Sequence, residues 1–444
     1  MLSREDNECL TRTGAGTPMG ALFRQYWLPV LLSEQLAERD GPPVRVKVLG
    51  EQLLAFRDSA GTVALVEPRC PHRGADLYFG RNEEGGIRCV YHGWKFDAKG
   101  RCVQAPTVPA QAEARMCERA RIRACPAQDW GGFIWAYLGP GEAPALPQLE
   151  FGALPPTHRH VSRKLQECNW AQAAEGGVDT AHFSFLHQPV AATPQELADK
   201  AARATRGYAR QTMGEAHVRW MREDPCPRYE VQRHEAGLVL GGARQADEGR
   251  TYWRIAQYLM PCHGFTPSAT EGQTLHAQCW VPVDDENCWV YLYSWNPARP
   301  LTDEERRSYR SGGAVYPEMD ASGMPVRNRS NDYLLDRQMQ KTENFTGIVG
   351  VSEQDAAIQD SQGRIADRTR ELLGPTDLGV VQFRRLMLEA ARTVAGGGVP
   401  PGRDMPQAYR VRAGGVVADA ALGFEEVMRL RFGDPLGRVD GPPP

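Results

Sequence analysis

Two short segments, each with one cysteine and one histidine, constrain this chain more than any other feature of its sequence. The first is Cys70-Pro71-His72, and the second, after sixteen residues, is Cys89-Val90-Tyr91-His92. Two sulfurs and two imidazoles are the ligands of a [2Fe–2S] cluster in which cysteines bind one iron and histidines bind the other. Replacing thiolates by neutral imidazoles raises the reduction potential of such a cluster. The spacing, with Gly74 and Gly93 beside the ligands, therefore predicts a histidine-ligated cluster between two loops.

Two other interpretations fit part of this pattern. Cysteine and histidine at such spacing also hold structural zinc, although zinc fingers usually pair Cys with Cys and His with His. A respiratory electron carrier with the same centre, called a Rieske cluster, has an extra cysteine in each loop, and these two form a disulfide. Ala75 and Tyr91 stand in the corresponding places here, so that disulfide cannot form. The sequence thus favours the cluster over zinc and argues against the respiratory type.

Length and composition indicate a globular chain with more than one core. At 444 residues the chain exceeds what one hydrophobic core normally serves, so two domains are expected. Its net charge of −3 gives no basic surplus for nucleic acid or an anionic membrane. No apolar run reaches the ~18 residues of a membrane span, and the first residues are too polar for a signal peptide. Eleven scattered cysteines fit reduced thiols, so we expect a cytoplasmic protein of bacterial type.

The predicted organisation is α+β, with an all-β region before a mixed one. Residues 1–145 are expected to hold a helical segment and then short strands, such as 44–48, 63–66 and 133–138, around the cluster loops. Residues 146–444 are expected to hold a strand at 252–260, a hairpin of 275–283 with 288–295, and a helix at 377–395. Thr302 and Glu305 form a capping box for another helix. Strands followed by helices favour an antiparallel sheet covered by helices.

A second polar segment, from Asn169 to His187, carries Glu175, Asp179 and His182 between its ends. Asp179 and His182 are three residues apart and would share one helical face. His182 and His187 are five apart, which a regular helix separates by about 140°, so both reach one ion only if the helix ends between them. Taken alone, two histidines near a helix end are more often structural than metal ligands.

The predicted cluster changes that expectation. A cluster that delivers single electrons needs an acceptor, and an iron held by two histidines and one carboxylate, with positions open to O₂, is a natural one. The carboxylate must come from elsewhere, and Asp355 is the best candidate, near the start of a helical stretch predicted to reach Leu373. Ser352 with Asp355 is also a capping box, which would give Asp355 only a structural role. Asp360 and Asp367 are rival carboxylates farther along the stretch.

At these residues the chain resembles the Rieske non-haem iron ring-hydroxylating oxygenases, and among them the oxygenase components of the phthalate 4,5-dioxygenase type. The resemblance covers most of the chain and rests on the segments 18–20, 26–29, 70–75, 82–84, 89–97, 169–187, 343–345 and 354–355. It implies a [2Fe–2S] cluster on the four ligands Cys70, His72, Cys89 and His92. It also implies a mononuclear Fe(II) on the three ligands His182, His187 and Asp355.

The resemblance further implies a fold, an assembly and an electron source. The catalytic domain is expected to have a helix-grip fold, and the subunits to form trimers or stacked hexamers in which one chain's cluster serves its neighbour's iron. Asp179 matches the carboxylate that bridges a cluster histidine of one chain and an iron histidine of the next. Electrons are expected from NADH through a separate flavin and iron–sulfur reductase.

The reaction implied by the resemblance is O₂-dependent dihydroxylation of an aromatic carboxylate. A carboxylate requires a cation, best an arginine that binds it with two hydrogen bonds. Arg244, placed just before the predicted central strand, is the first candidate and Arg206 the second, although each can also be a solvated surface residue. Asn169 either orients the iron site or caps a helix. The same iron chemistry suits a monooxygenase or O-demethylase, whereas a simple electron carrier would need no second iron site.

Overall fold

The computed structural model describes residues 1–191, 193, 195–197, 199–200, 215–268, 272–321 and 323–440. Short antiparallel strands surround the cluster loops, and a larger antiparallel sheet with helices follows them. The predicted α+β class is therefore confirmed. The candidate Arg206 lies outside the described residues. In these ranges no helix has both the length and the apolar character needed to span a membrane.

The first part of the chain contains helices α1 (Arg4–Thr11) and α2 (Pro18–Phe23), eleven short strands, and helix α3 (Ala110–Arg119). The strands are β1 (Trp27–Leu32), β2 (Val44–Val48), β3 (Glu51–Arg57), β4 (Val63–Val66), β5 (Arg81–Glu83), β6 (Gly86–Arg88), β7 (Lys95–Asp97), β8 (Cys102–Gln104), β9 (Ala124–Cys125), β10 (Ala127–Trp130) and β11 (Phe133–Tyr137). They form three sheets, ordered β1-β11-β10, β2-β3-β4-β9 and β5-β6-β7-β8. One cluster loop follows β4, and the other joins β6 to β7.

The second part of the chain is built on one sheet, ordered β12-β18-β17-β16-β15-β14-β13, with β19 paired to β15. Its strands are β12 (Arg159–Gln166), β13 (Arg228–His234), β14 (Gly237–Gln245), β15 (Arg250–Leu259), β16 (His263–Thr266), β17 (Leu275–Pro282), β18 (Cys288–Trp295) and β19 (Gly414–Asp419). Its described helices are α4 (Glu150–Ala153), α5 (Trp170–Val178), α6 (Glu215–Glu223), α7 (Asp303–Arg310), α8 (Arg337–Thr342), α9 (Val351–Ser361), α10 (Leu378–Ala395) and α11 (Phe424–Phe432). The predicted hairpin is confirmed as β17 and β18.

Helix α5 lies against the sheet, and two glycines let it approach closely. A Cβ on Gly177 would lie 2.2 Å from the ring of Trp280 in β17. A Cβ on Gly176 would lie 2.1 Å from the side-chain amide of Gln359 in α9. The indole of Trp280 is packed in the core, so position 177 needs glycine, whereas a side chain at position 176 would require the end of the Gln359 side chain to shift. The close packing fixes the end of α5 beside the sheet, as expected for a helix-grip fold.

Three local predictions about helix ends are corrected by the structure. Helix α9 ends at Ser361 rather than continuing to Leu373, and Gly363 follows it with a φ of +97°. Gly350 precedes α9, so Ser352 lies inside the helix and its predicted capping box is wrong. Asp377 does precede α10, but its carboxylate accepts a hydrogen bond from the Gly374 N–H instead of capping the helix. The capping box of Thr302 with Glu305 is confirmed.

The two parts of the chain share one large hydrophobic core. It runs from β1 and β11 to the sheet of the second part, and it includes Phe133, Trp135, Tyr291 and Tyr293. A separate, smaller core lies beneath the cluster loops. The predicted division of the chain at residues 145 and 146 stays a prediction about which segments fold independently.

A buried network of charges holds α5 to the C-terminal helices. Arg368 donates two hydrogen bonds to Glu175 of α5, at 2.8 and 3.0 Å, and Arg384 of α10 donates a third, at 2.7 Å. Arg384 also binds Glu371. Burial favours the neutral acid, but the two arginines outweigh it and lower the pKa of Glu175. Glu175 therefore belongs to the structural framework, although the sequence placed it among candidate site residues.

We expect the substitution Glu175→Gln to lower the free energy of unfolding by about 3 kcal/mol, because it leaves the buried Arg368 without its carboxylate and leaves Arg384 with only Glu371. The matched control is Glu389→Gln, which breaks the exposed pair with Arg233 and should cost less than about 1 kcal/mol. Urea unfolding followed by circular dichroism measures both changes. Equal effects of the two substitutions would contradict the structural role of the network.

The same network gives a pH dependence of known sign. Because the pKa of Glu175 is lower in the folded chain, its stabilisation is complete above the unfolded pKa and disappears as the pH falls through the folded pKa. The stability difference between the wild type and Glu175→Gln should therefore shrink in acid.

Candidate functional site

The two cluster loops repeat one backbone turn. The N–H of Gly74 donates to the Cys70 carbonyl at 2.8 Å, and the N–H of Gly93 donates to the Cys89 carbonyl at 2.9 Å. Both glycines have a positive φ, +72° and +75°, in a region that glycine adopts without strain. A Cβ on Gly93 would also lie 2.8 Å from Pro106. The repeated turn presents a cysteine and a histidine from each loop.

The four predicted cluster ligands lie at this tip with sulfur inside and imidazole outside. Cys70 and Cys89 are buried, whereas the rings of His72 and His92 are more exposed and lie 4.5 Å apart between centroids. Burial, together with the neighbouring Cys89 thiol, raises the pKa of Cys70 to about 11. Among the described residues, the only group of three or more donor atoms within 4.8 Å of one another lies elsewhere in the chain. The two histidine rings lie together and the two thiols lie together, which is the arrangement expected when cysteines bind one iron and histidines bind the other.

The ring of Trp94 supports one cluster ligand. It stacks on His72 with 2° between the ring planes and 4.7 Å between centroids. Its Nε1–H donates to the Thr107 hydroxyl at 3.1 Å, which fixes the indole in place. Outside this layer, the side chains of Val90 and Tyr91 are more than half exposed, so the tip presents an apolar surface around the histidines.

The three predicted iron ligands come together at the end of α5. Helix α5 ends at Val178, and a short 3-10 turn, His182–Ser184, follows it, so the chain does stop being a regular helix before His187. His182 Nε2 lies 3.6 Å from Asp355 Oδ1, and His187 Nε2 lies 3.3 Å from the same oxygen. Their donor atoms all lie within 4.8 Å of one another, which is the spacing around one ion.

The tautomer of His187 shows that this group fits a cation. Its Nδ1 is 2.7 Å from Gln354 Oε1, while Gln354 Nε2 donates to the Ile348 carbonyl at 2.8 Å. The Gln354 oxygen only accepts, so Nδ1 carries the proton and Nε2 presents a lone pair. That Nε2 is buried and has no hydrogen-bond partner, yet it faces a carboxylate oxygen. Two opposed acceptors repel each other unless a cation, either a proton or a metal ion, lies between them, and the third donor, His182, is placed to complete a metal site.

Asp179 orients the other histidine. It follows α5 in an extended conformation, so the shared helical face predicted for Asp179 and His182 is wrong. Its Oδ2 nevertheless lies 3.5 Å from His182 Nδ1, and its Oδ1 accepts from the Ala181 N–H at 2.6 Å. Burial favours the neutral acid, but hydrogen bonding to His182 outweighs it and lowers the pKa of Asp179. Burial likewise opposes the ionised form of Asp355, and the charges of the two histidines lower its pKa.

The rival carboxylates and Asn169 have other partners. Asp360 accepts a hydrogen bond from the Tyr333 hydroxyl, and burial raises the pKa of this acid. Asp367 caps the short turn that follows it. Asn169 accepts from the Ala171 N–H as the N-cap of α5, and its amide donates to two backbone carbonyls. The helix-cap interpretation therefore describes its geometry, at the opposite end of α5 from Asp179.

A cavity opens beside the predicted iron ligands, between α5 and the sheet. Its walls include His182, Asp355, Leu240, Trp280, Arg254 and Lys164. Arg254 and Lys164 did not emerge from the sequence as site residues. A signal for Arg254 was present, because it is a charged residue between the apolar residues Trp253 and Ile255 in the middle of strand β15.

Two buried arginines meet at Thr180, next to this cavity. Arg244 Nη2 donates to the Thr180 carbonyl at 2.7 Å, and Arg254 Nε donates to the Thr180 hydroxyl at 3.2 Å. Arg244 lies in β14, the strand just before β15, as predicted, and it is 1% exposed, so the surface alternative is wrong. Burial and the charge of Arg254 lower the pKa of Arg244 to about 10. No carboxylate of the described residues lies within 4.0 Å of Arg244.

Comparisons with known proteins agree with this geometry. A family profile described as Rieske [2Fe-2S] domain matches residues 26–118, and one described as LigXa C-terminal domain like matches residues 136–417. The chain is 37% identical to the 3-chlorobenzoate-3,4-dioxygenase oxygenase subunit of Comamonas testosteroni, over 97% of this chain and 99% of that one. The chain belongs to the Rieske non-haem iron aromatic ring-hydroxylating oxygenases. As an oxygenase subunit of this family, it is an oxidoreductase.

Other relatives of this Rieske oxygenase are named for two reactions. It is 37% identical to the phthalate 4,5-dioxygenase oxygenase subunit of Pseudomonas putida, over 88% of this chain and 86% of that one. It is 30% identical to the 5,5'-dehydrodivanillate O-demethylase oxygenase subunit of a Sphingobium strain, over 90% and 83%. Pseudomonas putida CBB5 NdmB shares the fold, with a TM-score of 0.56 at 19% identity, over 92% of this chain and 99% of that one.

We expect Gln354→Leu to weaken Fe(II) binding at the His182, His187 and Asp355 group by about 10- to 100-fold, because His187 loses the acceptor that fixes its tautomer. Chelator competition, with iron counted per chain, measures the change while the visible spectrum monitors the cluster. Gln362→Leu, an exposed position just after the same helix, is the control. Unchanged iron retention in Gln354→Leu would show that the amide does not orient the ligand.

Proposed function

We propose that this chain is the oxygenase component that uses O₂ to dihydroxylate an aromatic carboxylate, with electrons from NADH through a separate flavin and iron–sulfur reductase. The observation that carries the substrate class is the pair of buried guanidinium groups at Thr180, two residues before the predicted iron ligand His182. Two relatives are named for 3-chlorobenzoate and phthalate, which are both aromatic carboxylates.

The electrostatics of the cavity support an anionic substrate. The Arg244 guanidinium is buried, and a buried cation without a carboxylate within reach costs free energy. The neighbouring charge of Arg254 makes the ionised form of Arg244 still less favourable. In the antiparallel register Gly242 of β14 lies opposite Arg254 of β15, so Arg244, two residues along, is on the same face of the sheet. A substrate carboxylate placed near Thr180 would neutralise this pair and accept bidentate hydrogen bonds. The aromatic ring would then lie between the arginines and the iron ligands.

Each part of the site has a separate task in the proposed reaction. When bound to His182, His187 and Asp355, iron supplies the activation of O₂. The chain itself orients the ligands through Gln354 and Asp179, and it holds the substrate anion on the arginine side of the cavity. Leu240 and Trp280 provide apolar walls that exclude water from the ring. The protein thus contributes placement and exclusion, and the metal contributes the oxygen chemistry.

We also infer that electrons reach this iron from the cluster of a neighbouring subunit in a trimer or stacked hexamer. Asp179 contacts His182 on the side away from Asp355, so a histidine from outside could share its carboxylate. A groove next to His182 exposes Phe185 and Phe345, each slightly more than half accessible. The apolar surface of this groove resembles the apolar tip of the cluster loops, where Tyr91 is exposed beside His72 and His92. Asp179 is proposed as the bridge between the two metal centres.

The second candidate is a monooxygenase or O-demethylase of an aromatic acid, favoured by the relative named as an O-demethylase. It would use the same ligands and the same arginines. A simple electron carrier is disfavoured, because it gives no reason for the opposed acceptors of His187 and Asp355.

A turnover screen tests the proposed function. The holoenzyme, a matched reductase and NADH are combined with benzoates, phthalates, methoxybenzoates and uncharged analogues, and the products are read by mass spectrometry. We expect both atoms of ¹⁸O₂ in a dihydrodiol of an aromatic carboxylate. One oxygen atom, or loss of a methyl group, would support the second candidate.

The variant His187→Ala separates oxygenase from electron carrier. The wild type should hold about three irons and two sulfides per chain, and the variant about two irons with its visible spectrum retained. Product formation should disappear, because the electrons have no oxygen-activating acceptor. Full activity of the variant would refute the oxygenase assignment.

We expect Arg244→Met to lower kcat/KM for the aromatic carboxylate by about 10- to 100-fold, because a hydrogen bond to a charged group is lost. The corresponding carboxamide, which carries no charge, should lose much less. Arg233→Met, at an exposed ion pair on β13, is the matched control. An equal loss for acid and amide would mean that Arg244 has only a structural role.

A further inference from the structure

Behind the cluster loops, two cysteines outside the ligand set lie in contact. Cys102 begins β8 and Cys117 lies in the last turns of α3. Their sulfur atoms are 2.9 Å apart, within about 1 Å of the length of an S–S bond. Both side chains pack on the small core beneath the cluster. A strand and a helix that are joined only through the intervening loop thus meet at two thiols.

The two thiols differ in accessibility. Cys102 is buried, whereas Cys117 is partly exposed and can meet a small oxidant from solvent. Burial, and then the neighbouring thiol of Cys117, raise the pKa of Cys102 to about 12. This difference gives them separate roles, because oxidants react with the accessible thiolate and a protected thiol nearby can then resolve the product.

We propose that Cys102 and Cys117 form a redox-active dithiol that hydrogen peroxide closes into a disulfide. Peroxide first oxidises the Cys117 sulfur to a sulfenic acid, its O–O bond breaks, and one water leaves. The Cys102 sulfur then attacks the Cys117 sulfur, the S–O bond breaks, and a second water leaves. Two thiols lose two electrons and two protons, and one H₂O₂ becomes two waters. A dithiol reductant reverses the reaction.

The disulfide would restrain the segment that supports the cluster. Residues 103–116 connect the two cysteines, and within them Pro106 contacts Gly93 while Thr107 holds the indole of Trp94. Trp94 stacks on the cluster ligand His72. Closing the ring ties α3 to β8, so the oxidised form should hold this segment more rigidly than the reduced form. The ligands themselves take no part in the reaction.

A second thiol pair provides an internal comparison. Cys262 and Cys279 have sulfurs 3.4 Å apart, but both are completely buried in the sheet. Peroxide cannot reach them in the folded chain, so they should stay reduced. Cys226 is exposed and reports the oxidation of an accessible thiol.

Peptide mapping of the holoenzyme tests the proposal directly. Trypsin cuts after Arg101, Arg115 and Arg119, so Cys102 and Cys117 fall on two different peptides. After titration with H₂O₂, a non-reducing digest should show these two peptides joined, and dithiothreitol should separate them. Hydrogen exchange of residues 103–116 should become about tenfold slower on oxidation in the wild type and not in Cys117→Ser.

Each other outcome would count against the proposal. The dithiol is absent if Cys226 is oxidised while the linked peptides never appear, or if Cys117 becomes sulfinic acid without a cross-link. Loss of the cluster's visible bands before the cross-link forms also overturns it. A cross-link with unchanged hydrogen exchange would confirm the disulfide but refute the restraint on residues 103–116. Cys102→Ser, which removes the protected thiol, should leave Cys117 as a sulfenic acid that dimedone labels.

Discussion

The close approach of His187 and Asp355 is the interaction on which the rest of this structure depends. In the neutral tautomer that Gln354 favours, a lone pair on the His187 imidazole and an oxygen of the Asp355 carboxylate lie 3.3 Å apart in a buried setting. Such a contact is unfavourable by itself. The contact becomes favourable when a divalent cation lies between the two atoms. The arrangement of His182, His187 and Asp355 therefore favours the binding of a metal ion.

Much of the surrounding architecture serves to hold that geometry. The glycines of α5 bring the helix against Trp280, and Glu175 fixes it to two arginines from the C-terminal segments. Helix α5 can therefore end at a fixed point, where the chain turns to present His182. The carboxylate arrives from α9, more than 150 residues later in the chain. Each predicted ligand lies on an element that is held by its own packing contacts, and those contacts determine how rigid the site is.

How far the sequence predicts this protein depends on whether the relevant interactions are local. The cluster loops, the hairpin of β17 with β18 and the capping box of Thr302 follow from spacing and patterning over a few residues, and they were predicted. The extent of α9 was not, because helical patterning continues past Ser361 although Gly363 ends the helix. Asp355 could be named but not distinguished from a helix cap, because that distinction depends on Gly350 taking a positive φ.

The residues that sequence reasoning missed are set by contacts across the sheet. Arg254 joins Arg244 only because β14 and β15 pair in one particular register, and no periodicity in either strand encodes that register. Gln354 gains its role from a histidine 167 positions earlier in the chain. The contact of Cys102 with Cys117 likewise needs the return of α3 onto β8. Contacts between residues that are distant in the sequence are what the sequence alone does not predict.

Thr180 connects the two buried arginines to the turn that carries His182. Its carbonyl and hydroxyl hold both guanidinium groups, and only one residue separates it from the turn that carries His182. The position of the two guanidinium groups is therefore linked to the position of His182 through two peptide units. A substitution that moves either arginine should also move this histidine.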